Sequence, residues 1–218
     1  AMAQGLFATL IIGTIIQQIG SFIPGQAGTI LFVIGKVAAS LTGAGIGVAV
    51  AYKFNESPLV VVSAATAGMT GAFASKLLAG TVLVDGAMVY SGPGEPLGAF
   101  LAAYVGIYFG HLVSGKTKVD ILVTPNISIG TGSAVGLILG PPISGFMVWL
   151  GSVINWGTEQ QPFLMGIIVS VLMGMILTLP ISSAALGIIL NLSGLAAGAA
   201  TIGCCCNMVG FAVASYRE

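Results

Sequence analysis

Charge is almost missing from this chain: its 218 residues include six Lys and Arg, six Asp and Glu, and a single His. A soluble domain clothes itself in charged residues, about a quarter of its composition, and 6% cannot do that. A water-soluble globule is excluded. The formal net charge of zero offers no electrostatic footprint for nucleic acid. Cysteine is confined to Cys204, Cys205 and Cys206, adjacent in one apolar stretch, which rules out a framework of spaced disulfides. Successive side chains on a helix diverge by about 100°, so these thiols do not converge on one ion, and no His or carboxylate stands near them to complete a metal site. A glycine-rich phosphate loop is also missing, as is a nucleophile with a base at readable spacing. No catalytic residue, metal or cofactor is expected in this chain.

What remains is apolar: 56% of residues are hydrophobic and mean hydropathy is +1.08. The solvent of such a chain is the lipid bilayer. Runs of roughly twenty apolar residues recur, the length an α-helix needs to cross a hydrocarbon core about 30 Å thick, whereas a membrane barrel requires short alternating strands. The expected class is all-α, a polytopic transmembrane helix bundle with broken helices and re-entrant hairpins, forming one transmembrane domain over residues 1–218. Spans are expected at 2–23, 28–51, 59–84, 97–113, 121–154 and 163–179, with a re-entrant hairpin or two further spans after residue 179. Ala1-Met2-Ala3-Gln4 carries no basic leader, so the apolar run from Gly5 is expected to stay as a span.

Orientation follows from the connections. Lys53 lies in the second, Lys116 and Lys118 in the fourth, and the first, third and fifth carry no basic residue. The positive-inside rule places the second and fourth in the cytoplasm, and six spans then put the N-terminus there too. The 34 residues of 121–154 would reach about 50 Å as one straight helix, and they contain Pro125, Pro141 and Pro142. Proline removes a donor and frees carbonyls that lipid cannot satisfy, so breaks are expected at Pro125, at Pro141-Pro142 and at Pro180. Interrupted helices are a common way to build a solute site in a transporter. Glycine, 33 residues in all, recurs with other small residues at four-residue spacing: Gly43/Gly47/Ala51, Gly106/Gly110, Gly132/Gly136/Gly140, Gly166/Ser170/Gly174 and Gly194/Gly198. Such stripes let helix backbones approach closely.

Ions inside spans are functional candidates because burying each in lipid costs at least about 2.5 kcal/mol. Lys36 and Lys76 fall at matching depths, roughly 12 Å from the outer boundary; each either snorkels toward the headgroups or lines a polar cavity. The outer connection holds Asp85 and Glu95, and the stretch Ser91-Gly92-Pro93-Gly94-Glu95-Pro96 is too rich in helix breakers for a simple turn. A dip back into the bundle would bring Glu95 toward Lys76, where a carboxylate accepts two hydroxyl hydrogens of a solute; the alternative is a solvated loop. Asn126 is a binding residue or a helix cap. Ser182 and Ser183 follow Pro180, and Asn191 and Asn207 add polar atoms in apolar surroundings, together reading as a lining. His111 ends a span without an evident partner group. The expected ligand is a small polar, hydroxyl-rich solute. A membrane-embedded sensor or regulator with a permease-like fold is the alternative.

Residues 118–149, KVDILVTPNISIGTGSAVGLILGPPISGFMVW, resemble the stretch of fructose-type phosphotransferase-system membrane subunits, the sugar-conducting IIC component, in which a short basic connection leads into an Ile-rich segment and a Gly-Pro-Pro break. Residues 51–73, AYKFNESPLVVVSAATAGMTGAF, are similar to that family's loop after an AYxxAxxPG-like motif, and residues 162–185 resemble its Gly- and Met-rich segment leading into a polar turn. The opening GLFATLIIGTIIQQIG and the ending AGAATIGCCCNMVGFAVASYRE resemble a branch of IIC-like proteins labelled perfringolysin regulators. The resemblance covers nearly all of the chain and about the first two-thirds of the family domain, so a C-terminal third is expected to be lacking. It implies a homodimer working by alternating access in the bacterial inner membrane, with phosphoryl transfer left to separate IIA and IIB proteins. Where the fructose type carries an acidic turn ending in Asn-Lys, this chain has Leu177-Thr178-Leu179-Pro180-Ile181-Ser182-Ser183, and only Pro180 carries over.

Overall fold

Helix follows helix from Met2 onward, as lipid demands of a backbone that must satisfy its own hydrogen bonds. The computed structural model describes residues 1–84, 87–90, 92, 94–158, 161–178 and 194–216. The fold is all-α; among the described residues the extended pairing is a two-residue antiparallel ladder between β1 (Leu83–Val84) and β2 (Ala87–Met88). The chain divides into two compact units, Ala1–Ser144 and Gly145–Glu218.

In the first unit, α1 (Met2–Leu6), a π-helical turn (Phe7–Ile11) and α2 (Ile12–Phe22) make one 21-residue rod. Ile23 is extended before Pro24, the bias expected of a residue preceding proline, and Gly25 takes φ +89° to reverse the chain. Helix α3 (Gln26–Ser40) then returns along α2. Glycines line that seam: a Cβ on Gly35 would lie 2.6 Å from the backbone nitrogen of Gln17, so only glycine permits this approach. Helix α4 (Thr42–Lys53) is bent 53° from α3 across Leu41.

Helix α5 (Pro58–Ala72) starts with proline in its first turn, where the missing N–H costs nothing. It stops at Phe73 (φ −112°, ψ 15°), and a single turn, α6 (Ala74–Leu78), follows. The span expected at 59–84 is therefore interrupted: the 15 residues of α5 rise only about 22 Å. Helix α7 (Pro96–Val113) runs back against α5, as Gly71 meets Gly98 at one end and Val60 meets Gly110 at the other. Ile46, Val50, Ala51, Val60, Ala64, Ala72, Phe73, Ala99 and Ile107 form the core of this layer.

Helix α8 (Asp120–Thr158) remains helical for 39 residues with Pro125, Pro141 and Pro142 inside it. This corrects the expected breaks at those prolines. The interruptions among the described residues fall instead at Leu41 and Phe73, where the chain changes helix without a proline at the joint. The start of α8 packs on α5 and α7 through its small-residue stripe: a Cβ on Gly132 would lie 2.7 Å from the Ala102 carbonyl oxygen, and one on Gly136 2.9 Å from the Ala102 Cβ. The buried Ser128 hydroxyl donates to the Gly106 carbonyl oxygen at 2.8 Å, tying α8 to α7.

In the second unit, α9 (Pro162–Thr178) pairs with α10 (Gly194–Tyr216). Ile154, Met165, Val169, Met173 and Ala200 are its buried core. The Gly203 position is in contact with the Ser170 carbonyl, leaving no space for a side chain there, while Gly166 and Gly198 face open space. Among the described residues three helices are long and apolar enough to cross a bilayer, Met2–Phe22, Pro96–Val113 and Asp120–Ile154, and the bent α3–α4 pair makes a fourth if it is counted as one span.

Candidate functional site

The interruption at Phe73 leaves α5 with carbonyls that have no intrahelical partner. One of them, Ala72 O, accepts the backbone N–H of Glu95 at 2.8 Å. Gly94, at φ +69°, makes this approach possible, because a Cβ there would lie 2.8 Å from the Ala72 oxygen. Glu95 thus docks its backbone on the end of α5 and stands as the residue that opens α7 (φ −98°, ψ 110°), followed by Pro96 in the first turn. Of the two readings of this connection, dip or solvated loop, its end at Glu95 follows the first, and Lys76 is near enough for its charge to act on the Glu95 carboxylate.

The Glu95 side chain is half-buried and hydrogen-bonded to Ser144 of α8. Burial raises the affinity of its carboxyl for a proton above the ordinary carboxylate value, and the Ser144 hydrogen bond and the Lys76 charge oppose that rise. Lys76 also stands 5.6 Å from the centroid of the Phe73 ring, within cation–π range. Phe73 is buried and meets Tyr90 with ring centroids 5.0 Å apart, so Tyr90, 37% exposed, presents an aromatic surface at the same joint. Ser75, next to Lys76, has a buried hydroxyl without a hydrogen-bond partner, and its backbone lies against Gly140, one turn before Ser144 on α8. A carboxylate, hydroxyls, an ammonium and an aromatic face within one loop-and-helix junction can hold a polyhydroxylated solute by hydrogen bonds to its edge and contact with its apolar face.

The remaining expected site residues are scattered. Lys36 is exposed on α3, its ammonium 5.1 Å from the Phe32 ring centroid, and α3 packs on the α2 side of the unit. Asn126 is exposed in the second turn of α8, neither capping that helix nor adjoining Glu95. The opening of α8 is held by Asp120, whose Oδ1 accepts from the Gly115 N–H at 3.0 Å and the Thr124 hydroxyl at 2.6 Å. Asn207, in the second unit, donates its amide to the Gly174 carbonyl oxygen and borders an open groove of about 380 Å3 with Ser170 and Cys206. Asp85, Pro180, Ser182, Ser183 and Asn191 lie outside the described residues.

His111 has a partner that spacing alone did not reveal. Its Nδ1 is 3.0 Å from a carboxylate oxygen of Glu56, whose side chain is only 8% exposed. A Ser57–Ser114 hydroxyl pair at 3.0 Å joins the same two connections. With Phe54, Tyr104, Ile107 and Tyr108, Glu56 and His111 border a cavity of about 270 Å3 at the far end of α7, about 24 Å along the helix from Glu95. Sequence reading also missed Ser144, Ser75 and Tyr90. The one available signal was Ser144 placed four residues after Gly140, hence on the same helix face.

The family model for the phosphotransferase system, EIIC, matches residues 1–218. A search of curated proteins gives no match.

Proposed function

The chain belongs to the phosphotransferase system EIIC family, a multi-pass membrane protein of that transport system, and from this premise we propose that it is a permease for a sugar or a similar small polyol. Solute binds at Glu95 on the interrupted end of α5, and the observation that carries this reading is the docking of Glu95 on Ala72 O with its half-buried carboxylate held by Ser144 and under the charge of Lys76. A half-buried carboxylate accepts two hydroxyl hydrogens and rejects analogues that lack them. Lys36 stands apart, so the site pairs one carboxylate with one ammonium, and that balance favours a neutral solute over an acidic one. Ser182, Ser183 and Asn191 are further proposed solute contacts, and Asn207 is a proposed polar group of the groove in the second unit.

Translocation proceeds by alternating access, with the bent α3–α4 pair and the joint at Phe73 as places where short helices rotate about few backbone bonds. The protein works as a homodimer in the bacterial inner membrane. Its N-terminus lies in the cytoplasm with the connections that bear Lys53, Lys116 and Lys118, and separate IIA and IIB proteins supply the phosphoryl group.

The test is uptake of labelled neutral hexoses and hexitols into proteoliposomes carrying the purified protein, with equilibrium binding measured in parallel. Glu95→Gln keeps the volume of the side chain and removes its charge; an expected loss of charge-assisted hydrogen bonding of about 1.5–3 kcal/mol corresponds to a loss of affinity of roughly ten- to a hundredfold. Unchanged affinity in Glu95→Gln overturns this site. Tight binding without flux in the unaltered protein, with IIA and IIB proteins and a phosphoryl donor supplied inside the vesicles, replaces the permease by a sensor.

A further inference from the structure

Ser75 is a residue that its spacing in the sequence does not mark out. It sits in the first turn of α6, between Ala74, which is 1% exposed, and Lys76. Its Oγ is shut off from solvent and is the one buried side-chain oxygen or nitrogen among the described residues with no hydrogen-bond partner. Serines in helices commonly turn such a hydroxyl back onto a carbonyl three or four residues earlier, as Ser63 does with Leu59 O at 2.7 Å and Thr70 with Thr66 O at 3.0 Å. Ser75 makes no such bond: the helix breaks at Phe73 (φ −112°, ψ 15°), between Ser75 and the carbonyls three and four residues earlier, and one of these, Ala72 O, accepts the N–H of Glu95 instead.

A buried hydroxyl left without a partner is costly, and native proteins keep few of them. The surroundings show what the missing partner would be near. Ser75 follows the Phe73 joint by two residues and adjoins Lys76, which acts on the Glu95 carboxylate. Its backbone nitrogen lies 3.6 Å from the place a Gly140 Cβ would occupy, one helical turn from the Ser144 that bonds Glu95. We propose that Ser75 is a third hydroxyl contact of the solute site, its Oγ donating to or accepting from a solute hydroxyl while Glu95 and Ser144 hold another. This rests on the reading of the Glu95 junction as the solute site. The orphan hydroxyl is then the cost, carried by the empty protein, of a contact made only when solute is present.

The consequence is a pair of effects of opposite sign. In Ser75→Ala the empty protein loses an unsatisfied group, so its melting temperature in detergent or nanodiscs stays level or rises, while affinity for the neutral hexose or hexitol that best shifts the unaltered protein falls about tenfold, the worth of one hydrogen bond. Ser75→Thr, which keeps the hydroxyl, retains affinity within about threefold. A drop in melting temperature with affinity unchanged makes Ser75 a structural residue bonded to water and overturns the inference while Glu95→Gln still impairs binding. If no hexose or hexitol binds the unaltered protein at all, the solute site itself falls and Ser75 with it.

Discussion

Glu95 concentrates the chemistry of this molecule in one side chain whose protonation its neighbours set. Desolvation raises its affinity for a proton, and Ser144 and Lys76 pull it back. An acid whose folded-state value exceeds its unfolded value costs stability while ionised, and that cost is relieved as the pH falls through the raised value. Binding runs the other way, because the charged carboxylate is the better acceptor. Solute affinity is expected to weaken as the pH drops through a point above the usual carboxylate range, read by titrating affinity against pH. Lys76→Met removes a charge that favours the carboxylate, so the same curve is expected to move to higher pH; a curve that moves lower or stays in place refutes the pairing. The approach of Glu95 to Lys76 was one of two readings open to the sequence, since a loop crowded with Gly and Pro suits a dip into the bundle and a solvated turn alike. Ser75, Ser144 and Tyr90 were not legible, since a serine or tyrosine in an apolar run carries no mark of what it will face.

At the scale of helices, backbone contact rather than side-chain interlocking holds the first unit together, as it must where lipid gives apolar side chains no reason to prefer one another. Gly47 abuts the Ala64 carbonyl and Gly68 the Gly43 carbonyl, so neither neighbour can swing aside. Gly47→Ala is expected to destabilise by roughly 1–3 kcal/mol through overpacking, despite alanine's better helix propensity. Gly130, with nothing within 4 Å of its would-be Cβ, gives the contrast: Gly130→Ala is expected to gain up to about 1 kcal/mol. Thermal or denaturant unfolding of the two variants in one detergent reads both signs, and equal effects would mean the stripes do not carry the packing. The stripes themselves were visible as spacing. Which of them pack was not: Gly43/Gly47, Gly106/Gly110 and Gly132/Gly136/Gly140 meet neighbouring helices, while Gly194 and Gly198 face open space, because spacing defines a face but not what lies opposite. Proline misled for a related reason. It frees one carbonyl at each site, which a long helix tolerates when its neighbours leave the axis undisturbed, and α8 continues through all three.

For the molecule as a whole, antiparallel α5 and α7 bring the connection after α4 and the connection after α7 to one end, where Glu56 meets His111 and Ser57 meets Ser114. Lys53, Lys116 and Lys118 belong to those two connections, and the Glu95 junction lies at the other end of α7. In a background with Cys204, Cys205 and Cys206 replaced by serine, Lys53→Cys and Lys116→Cys are expected to react with an impermeant maleimide from the same side of the membrane, and Thr81→Cys from the opposite side. Labelling of Lys53→Cys and Lys116→Cys from different sides contradicts the α5–α7 pairing; labelling of that pair from outside intact cells reverses the proposed orientation.

The near absence of charge and the length of the apolar runs settled by themselves that this chain is a helical membrane protein, because no arrangement of 56% hydrophobic residues with 6% charge can present a wetted surface. Composition acts on every residue at once, so it needs no fold to be read. The joint at Phe73, the capture of Ala72 O by Glu95 and the reach of Ser144 to the same carboxylate were decided only in three dimensions. Each depends on which backbone group is left without a partner and which distant segment arrives to supply one, and neither is a property of any single stretch of sequence.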